Sequence, residues 1–367
     1  MYQKEYMELA IKLAQNCQCS PNPAVGAVIV KDGKVIGQGF TQPYGEEHAE
    51  VQAIKNCIED TQGADLYVTL EPCSHYGKTP PCVEAIYRAG IKNVYAGIKD
   101  PNPKVNGKGF FMLQTARINV EFPFFEEIIK KQLEHYLVWI QSKKPFVIMK
   151  NIISLDGKIL TDNGDINAFS NAIIKDKIQN LRDTIDAVLI ANPTVVPELA
   201  SVLSKGGGGG KSLIILDPNL ELEPKSYPLK IILFYHKDVQ NKEKIDLLNK
   251  NNIDTYPVSM KHGLLNINEI LLTLGSLGIS SLLTETDTDI NSQLIKNELV
   301  NKIYFFILPQ ILGGNKNVFD SLNISKIDNK IDLTDIQIEV FDDEIMFVGY
   351  PDYKNGGKDY YGNNLLD

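Results

Sequence analysis

Hydrophobic and polar positions follow two rhythms along the chain, and the switches between them mark the elements. Met7, Leu9, Ala10, Ile11, Leu13 and Ala14 recur at helical spacing, with Lys4, Glu5, Glu8 and Lys12 among them. Pro21 and Pro23 close that first helix. Residues 24–30 and 34–39 predict two strands joined at Lys31-Asp32-Gly33, a hairpin signal. A helix over about 48–58, a strand at 65–70, a helix at 82–89, a strand at 93–98, a helix at 109–115 and a strand at 117–122 follow. This alternation predicts a layered α/β unit ending near residue 120, then one helix over 126–142 leading into Lys143-Lys144-Pro145.

A second α/β pattern begins there. Strands are expected at 146–151, 186–192, 212–216, 230–234, 280–285, 303–308 and 344–350, and helices at 171–181, 267–277 and 291–299. Five consecutive glycines, 206–210, read as a mobile loop or an edited junction. Lys211-Ser212 follows them but opens a β-rich run, whereas a phosphate loop opens a helix. Residues 353–367 are polar and rich in Gly and Asn, the composition of a frayed tail. No internal repeat is present.

Composition narrows the class. The 367 residues suffice for two domains at about 150 residues each. Hydrophobic residues are 43% and charged residues 23%, the ordinary globular balance. Against 37 Lys and Arg stand 46 Asp and Glu, a net charge of −9. That balance lacks the electrostatic footprint of a nucleic-acid binder and gives an anionic membrane no purchase. No apolar run approaches the roughly 18 residues of a membrane-spanning helix. Five cysteines are odd in number and sparse, which fits a reducing, cytoplasmic setting with thiols used for packing or metal. Cys17, Cys19 and Cys57 read as packing residues, because Cys17-Gln18-Cys19 lacks the spacing of a zinc knuckle or a redox pair.

The remaining two cysteines belong to a chemical pattern. His48-Ala49-Glu50 opens a helix, Glu71-Pro72-Cys73 follows a strand, and Cys82 stands nine positions on. One imidazole and two thiolates suit zinc and leave a fourth tetrahedral position open for water. Zinc brings the pKa of such a water toward neutrality. Glu50, two residues from His48, is placed to carry protons without binding the metal. Nucleobase deaminases carry H-x-E followed by P-C-x-x-C; here the two cysteines are much further apart. A closed structural site with His75 as fourth ligand is the rival, but it gives Glu50 nothing to do.

The insert between the cysteines reads Cys73-Ser74-His75-Tyr76-Gly77-Lys78-Thr79-Pro80-Pro81-Cys82. Upstream stands Pro21-Asn22-Pro23-Ala24-Val25-Gly26, and downstream Asp100-Pro101-Asn102-Pro103 and Gly107-Lys108-Gly109. Together these closely resemble the deaminase domain of the bifunctional riboflavin-biosynthesis deaminase–reductase (RibD or RibG) family, continuously over about residues 1–145. The resemblance implies a cytidine-deaminase-like three-layer αβα domain over 1–144, a dihydrofolate-reductase-like α/β domain over 145–351 and a flexible tail over 352–367. It implies zinc held by His48, Cys73 and Cys82, with Glu50 as proton carrier. The implied substrate is 2,5-diamino-6-ribosylamino-4(3H)-pyrimidinone 5′-phosphate, contacted by Asn22, His75, Lys78, Asp100 and Asn102. Lys78 is a fitting cation for a phosphate and Asn22 offers donor and acceptor to a ring edge. Asp100 and Asn102 read equally as turn residues.

The second half resembles the family's reductase more thinly, through Lys150, Ser154-Leu155-Asp156-Gly157-Lys158, Leu181-Arg182, Thr194, Leu216-Asp217, Glu285 and Pro309-Gln310-Ile311-Leu312-Gly313-Gly314. That resemblance implies NADPH near Ile152, Thr194 and Glu198, substrate contacts at Arg182 and Glu285, and a homo-oligomer formed through this domain. Departures fall where the chemistry belongs. The family's Trp-Ile-Thr is Ala168-Phe169-Ser170, its preceding serine is Ile166, and its acidic pair and proline after Thr194 are Glu198-Leu199-Ala200. An expected arginine is Lys205, and a Gly-Gly pair after Glu285 is Thr286-Asp287. Glycines there would let backbone N–H groups approach a pyrophosphate, whereas Asp287 and Asp289 add negative charge. Two readings follow: a bifunctional enzyme, or a deaminase with an inactive reductase-like scaffold. A nucleoside or tRNA-base deaminase competes weakly, since it would carry the short C-x-x-C and a basic face. A zinc-stabilised scaffold without catalysis is the remaining alternative.

Overall fold

A computed structural model describes residues 2–161, 172–205 and 210–353. The expectations at Ile166, Ala168-Phe169-Ser170, most of the glycine run and the tail beyond Tyr353 lie outside the described residues. The chain divides into two compact units, Met1–Lys143 and Lys144–Asp367.

The first unit runs α1 (Lys4–Ala14), β1 (Gly26–Lys31), β2 (Lys34–Phe40), α2 (Ala49–Lys55), β3 (Asp65–Leu70), α3 (Cys82–Arg88), β4 (Asn93–Ile98), α4 (Lys108–Thr115), β5 (Asn119–Glu121), α5 (Glu126–Gln132) and α6 (Glu134–Ser142). Its sheet has the order β2-β1-β3-β4-β5. β1 pairs antiparallel with β2 and β3, while β3, β4 and β5 are parallel. The β1–β2 turn has Asp32 at φ 49° and Gly33 at φ 74°, the left-handed pair that suits the twist of a tight hairpin.

The sheet is thin where helices cross it. A Cβ at Gly26 would lie 1.9 Å from the Ala10 carbonyl oxygen, and one at Gly39 would lie 2.4 Å from that of Ala49. Gly26 pairs with Phe40 and Gly39 with the neighbouring Ala27, so the two glycines face opposite sides of the sheet. α1 packs on one face and α2 on the other, which makes the unit a three-layer αβα sandwich. The single helix expected over 126–142 is two, broken at Leu133 (φ −99°, ψ 9°), whose own N–H still bonds back to Ile129 and Lys130.

The second unit runs β6 (Phe146–Ser154), α7 (Ala172–Asp183), β7 (Ala187–Ile190), α8 (Val196–Lys205), β8 (Ser212–Leu216), β9 (Lys230–His236), α9 (Lys242–Lys250), β10 (Ile253–Val258), the short pair β11 (Met260–Lys261) and β12 (Leu264–Leu265), α10 (Ile267–Ser276), β13 (Ser281–Thr284), α11 (Thr288–Lys296), β14 (Lys302–Leu308), β15 (Asp332–Phe341) and β16 (Glu344–Asp352). Of these, α8, α9, β10, the β11–β12 pair and β15 are additions to the sequence reading. The nine-stranded sheet has the order β10-β9-β8-β7-β13-β6-β14-β16-β15. It is parallel from β10 to β14, with β16 and β15 antiparallel at one end. Alternate residues serve opposite faces. Val147, Met149, Ala187 and Leu189 join Ile270, Leu274, Ile290 and Leu294 of α10 and α11, while Ile174 and Ile178 of α7 join Phe306, Met346 and Val348. Among the described residues no helix is long and apolar enough to cross a membrane.

The contact at Gly26 can be tested directly. Gly26→Ala forces α1 off β1 and is expected to cost about 1–3 kcal/mol of stability, read as a lowered urea midpoint. An unchanged midpoint would contradict so close a packing.

Candidate active site

Three separate elements deliver the metal-type ligands. His48 is the extended residue immediately before α2, Cys73 lies in the turn after β3, and Cys82 is the first residue of α3. The His48 Nδ1 is 3.5 Å from the Cys73 Sγ and 3.2 Å from the Cys82 Sγ, and all three ligand atoms lie within 4.8 Å of one another. Ordinary zinc–sulfur and zinc–nitrogen bonds at tetrahedral angles put N and S about 3.6 Å apart. The donor set and its spacing therefore fit zinc. The three side chains perturb one another's protonation. The Cys82 thiol and the His48 ring pull Cys73 down to about 4, and Cys73 in turn raises His48 to about 9. Cys82 itself is raised well above the usual thiol range by its bond to Cys73 and by burial.

Glu50, in the first turn of α2, is buried, and burial raises its carboxyl to about 7 against the opposing pull of His48. It opens onto a pocket of about 360 Å³ that is also lined by Asn22, His48, Cys73, His75, Lys78, Asp100 and Asn102. The structure thus gathers eight of the nine deaminase-site residues expected from sequence on one cavity; the ninth, Cys82, lies behind it at the ligand group. His75 is not part of the ligand group, and its buried Nδ1 has no hydrogen-bond partner. The Lys78 Nζ lies 3.9 Å from the centre of the Tyr44 ring, a cation–π seat at the pocket mouth. The turn reading of Asp100 and Asn102 holds as well. Asp100 Oδ1 accepts from the Asn102 N–H at 2.9 Å, and Asn102 Oδ1 accepts from the Lys104 N–H at 3.1 Å. Both residues shape the loop and face the cavity.

Sequence reasoning gave Glu71 no role. Its buried carboxylate accepts from four backbone N–H groups: Asp100 (3.2 Å), Gly107 (2.9 Å), Gly109 (2.9 Å) and Phe110 (3.4 Å). Gly109 comes so close that a Cβ there would lie 2.0 Å from the Pro72 carbonyl oxygen. Glu71 thereby ties the pocket-lining loop and the start of α4 to the segment that carries Cys73. Of the other cysteines, the Cys17 Sγ donates to the Val25 carbonyl, that of Cys19 to Asn22 and that of Cys57 to Ala53.

In the second unit Arg182 and Glu285 meet, but they meet each other. Arg182 Nε and Nη2 donate to the two carboxylate oxygens of Glu285 at 2.8 and 2.6 Å, and the Lys150 Nζ stands 3.5 Å away. Burial would raise Glu285, yet Lys150 and Arg182 override it and hold the carboxyl at about 2. Burial lowers Lys150. Thr194 is exposed, its hydroxyl bonded to Asn192; Glu198 is exposed in the first turn of α8; Ile152 packs half-buried beside the α7 cluster. At the start of α11 the Asp287 carboxylate accepts from the Ile290 N–H at 3.0 Å, and Asp289 accepts from the Ser321 hydroxyl at 2.5 Å. A dinucleotide's diphosphate does not fit there, because a carboxylate already fills the anion position of that helix.

Comparison with known proteins agrees with this geometry. Residues 1–98 match the cytidine and deoxycytidylate deaminase zinc-binding region, and residues 145–347 match the RibD C-terminal domain. The riboflavin biosynthesis protein RibD of Aquifex aeolicus is 33% identical over 94% of this chain and 97% of its own length. The chain belongs to the RibD family. The RibD of Bacillus amyloliquefaciens is 32% identical over 98% of this chain and 99% of its own. The solved deaminase/reductase of Thermotoga maritima superposes with a TM-score of 0.80 at 30% identity, covering 95% of this chain and 98% of that one. RibD proteins are bifunctional deaminase–reductases of riboflavin biosynthesis, and both the zinc-binding deaminase domain and the reductase domain are present here.

Two outcomes follow from these carboxylates. Glu71→Gln sets an amide against backbone donors and is expected to lose about 2–3 kcal/mol in urea unfolding; an unchanged midpoint would refute the cradle. For Glu285 the folded value of about 2 lies below the ordinary 4.5. Its stabilisation is therefore complete above about pH 4.5 and drains away as pH falls toward 2. Glu285→Gln should cost about 3–5 kcal/mol at pH 7 and flatten the acid side of the stability–pH curve.

Proposed function

We propose that the first unit converts 2,5-diamino-6-ribosylamino-4(3H)-pyrimidinone 5′-phosphate to its deaminated product, water replacing the 2-amino group, which leaves as ammonia. The convergence of His48, Cys73 and Cys82 beside the buried Glu50, on the pocket that holds the expected substrate contacts, carries this reading. His48, Cys73 and Cys82 would hold zinc, which when bound supplies an activated water near neutral pH and a Lewis acid. Glu50 takes one proton of the attacking water and passes it to the ring nitrogen, then takes the second from the hydroxyl now on the ring carbon and delivers it to the amine, which leaves as ammonia as the carbonyl forms. Asn22, His75, Asp100 and Asn102 orient the base and ribose, and Lys78 neutralises the phosphate at the pocket mouth. The Thermotoga maritima relative bears the name of a diaminohydroxyphosphoribosylaminopyrimidine deaminase/5-amino-6-(5-phosphoribosylamino)uracil reductase, which supports the same substrate here.

For the second unit the reading is the family's NADPH-dependent reduction of the ribosyl group to ribityl, supported by the match over residues 145–347. Arg182 and Glu285 would contact that substrate, with the cofactor near Ile152, Thr194 and Glu198. No step is derived through the dinucleotide, because the start of α11 does not fit its diphosphate. A second reading, a deaminase whose reductase-like unit is a scaffold, is favoured by the Asp287 cap and by the mutual engagement of Arg182, Glu285 and Lys150. The enzyme would work in the cytoplasm, without nucleic-acid or membrane partners. A homo-oligomer formed through the second unit is supported by β15, which exposes Ile336, Ile338 and Val340 on one face of an edge strand.

Mass spectrometry after incubation of the zinc-loaded protein with the diaminopyrimidine ribose phosphate and NADPH tests both readings. A product deaminated and heavier by two hydrogens shows both activities; one deaminated only supports the scaffold reading; unchanged substrate sinks the assignment. Glu50→Gln is expected to keep its zinc while deamination falls at least about 100-fold.

A further inference from the structure

We infer that Tyr136 is a positioning residue of the deamination site: its hydroxyl fixes Asp100 so that the carboxylate receives a hydrogen-bond donor of the substrate. The inference rests on the proposed deaminase reading. Tyr136 comes from α6 and lines the pocket together with Asp100. Its hydroxyl lies 3.0 and 3.2 Å from the two carboxylate oxygens of Asp100. Asp100 is held at two further points, its Oδ1 by the Asn102 N–H at 2.9 Å and its own N–H by Glu71 at 3.2 Å. A carboxylate offers about four acceptor positions. Tyr136 and Asn102 leave acceptor capacity unused on a group that borders the cavity.

The sign of the charge decides what that capacity takes. A carboxylate repels the phosphate, and Lys78, Lys104 and Lys143 line the same pocket. The phosphate belongs with the lysines, and an amine or hydroxyl hydrogen belongs at Asp100. Fixing Asp100 therefore fixes which way round the substrate lies. Both Asp100 and α6 fall outside residues 1–98, the stretch matched to the zinc-binding region of cytidine and deoxycytidylate deaminases. The zinc region supplies the reaction together with the contacts of Asn22, His75 and Lys78, and this wall, outside it, adds Asp100 and Tyr136 to the same pocket.

Trp139 is the chain's one tryptophan, and it lines the pocket one helical turn from Tyr136. Its fluorescence gives a binding readout independent of turnover. The test compares wild type, Tyr136→Phe, Asp100→Asn and the double variant, each zinc-loaded. KM and kcat are measured for the diaminopyrimidine ribose phosphate, and Kd for its deaminated product by Trp139 fluorescence without NADPH. Tyr136→Phe should raise KM and Kd about tenfold with kcat and zinc content unchanged, the loss of one hydrogen bond to a charged group. In the Asp100→Asn background its effect should shrink well below additivity, because it acts mainly through Asp100, with the Asn102 side chain as its other partner. Additive losses, or an unchanged KM, overturn the inference. If Tyr136→Phe fails to fold, Tyr136→His takes its place with the same two outcomes, and a wild-type KM in Asp100→Asn also overturns the inference. A wild type that does not deaminate overturns the functional reading and this inference together, whereas an active wild type with additive variants overturns this inference alone.

Discussion

One buried carboxylate sets the geometry on which the first unit depends. Glu71 leaves β3 two residues before Cys73 and collects backbone N–H groups from residues 100 to 110. Charge-assisted bonds of this kind are worth roughly twice a neutral one. They are made to main chain, so they place a whole loop rather than one side chain. The segment of Cys73 and the wall of the pocket are thus parts of one bonded body. The helices complete it, with α2 bringing His48 and Glu50 and α3 bringing Cys82.

The second unit contrasts with this. Its charged centre sets two cations, buried Lys150 and largely buried Arg182, against the one carboxylate of Glu285, which stands just past the carboxyl end of β13, where open α/β sheets hold ligands. Buried Asn151 Nδ2 and Thr284 Oγ1 atoms nearby on β6 and β13 have no hydrogen-bond partner. The fold and the polar lining of a site are in place, while the helix end that would draw a diphosphate carries its own acid. The same sheet architecture supports either reading of the unit, so the side chains at the strand ends decide between them.

How much was legible follows from the kind of signal each feature leaves. The strands Asp65–Leu70 and Asn93–Ile98 stand where the apolar runs put them, because central parallel strands are buried on both faces. The grouping of His48, Cys73 and Cys82 was legible because a metal-type donor set uses few residue types, and these stand at or near the boundaries of predicted elements. The break at Leu133 was not: apolar periodicity continues through it, and only the backbone angles change. β15 leaves a signal, Ile336 and Ile338 alternating with Gln337 and Glu339, yet its apolar face is exposed rather than packed in a core. Glu71 was hidden for a different reason. Its partners are main-chain groups 29 to 39 residues away, and no side-chain motif records a backbone donor.

The thinness of the sheet under α2 has a consequence for the chemistry. Gly37 and Gly39 of β2 let that helix rest on bare backbone, with positions for added Cβ atoms only 2.4 Å from the Ala53 and Ala49 carbonyl oxygens. The helix so seated carries Glu50, the proton carrier of the proposed reaction. The depth to which the carboxylate reaches the cavity is therefore fixed from behind, by two residues that never meet the substrate. The height of Glu50 in the pocket is thus a property of the floor beneath its helix, set by a strand that contributes no side chain there.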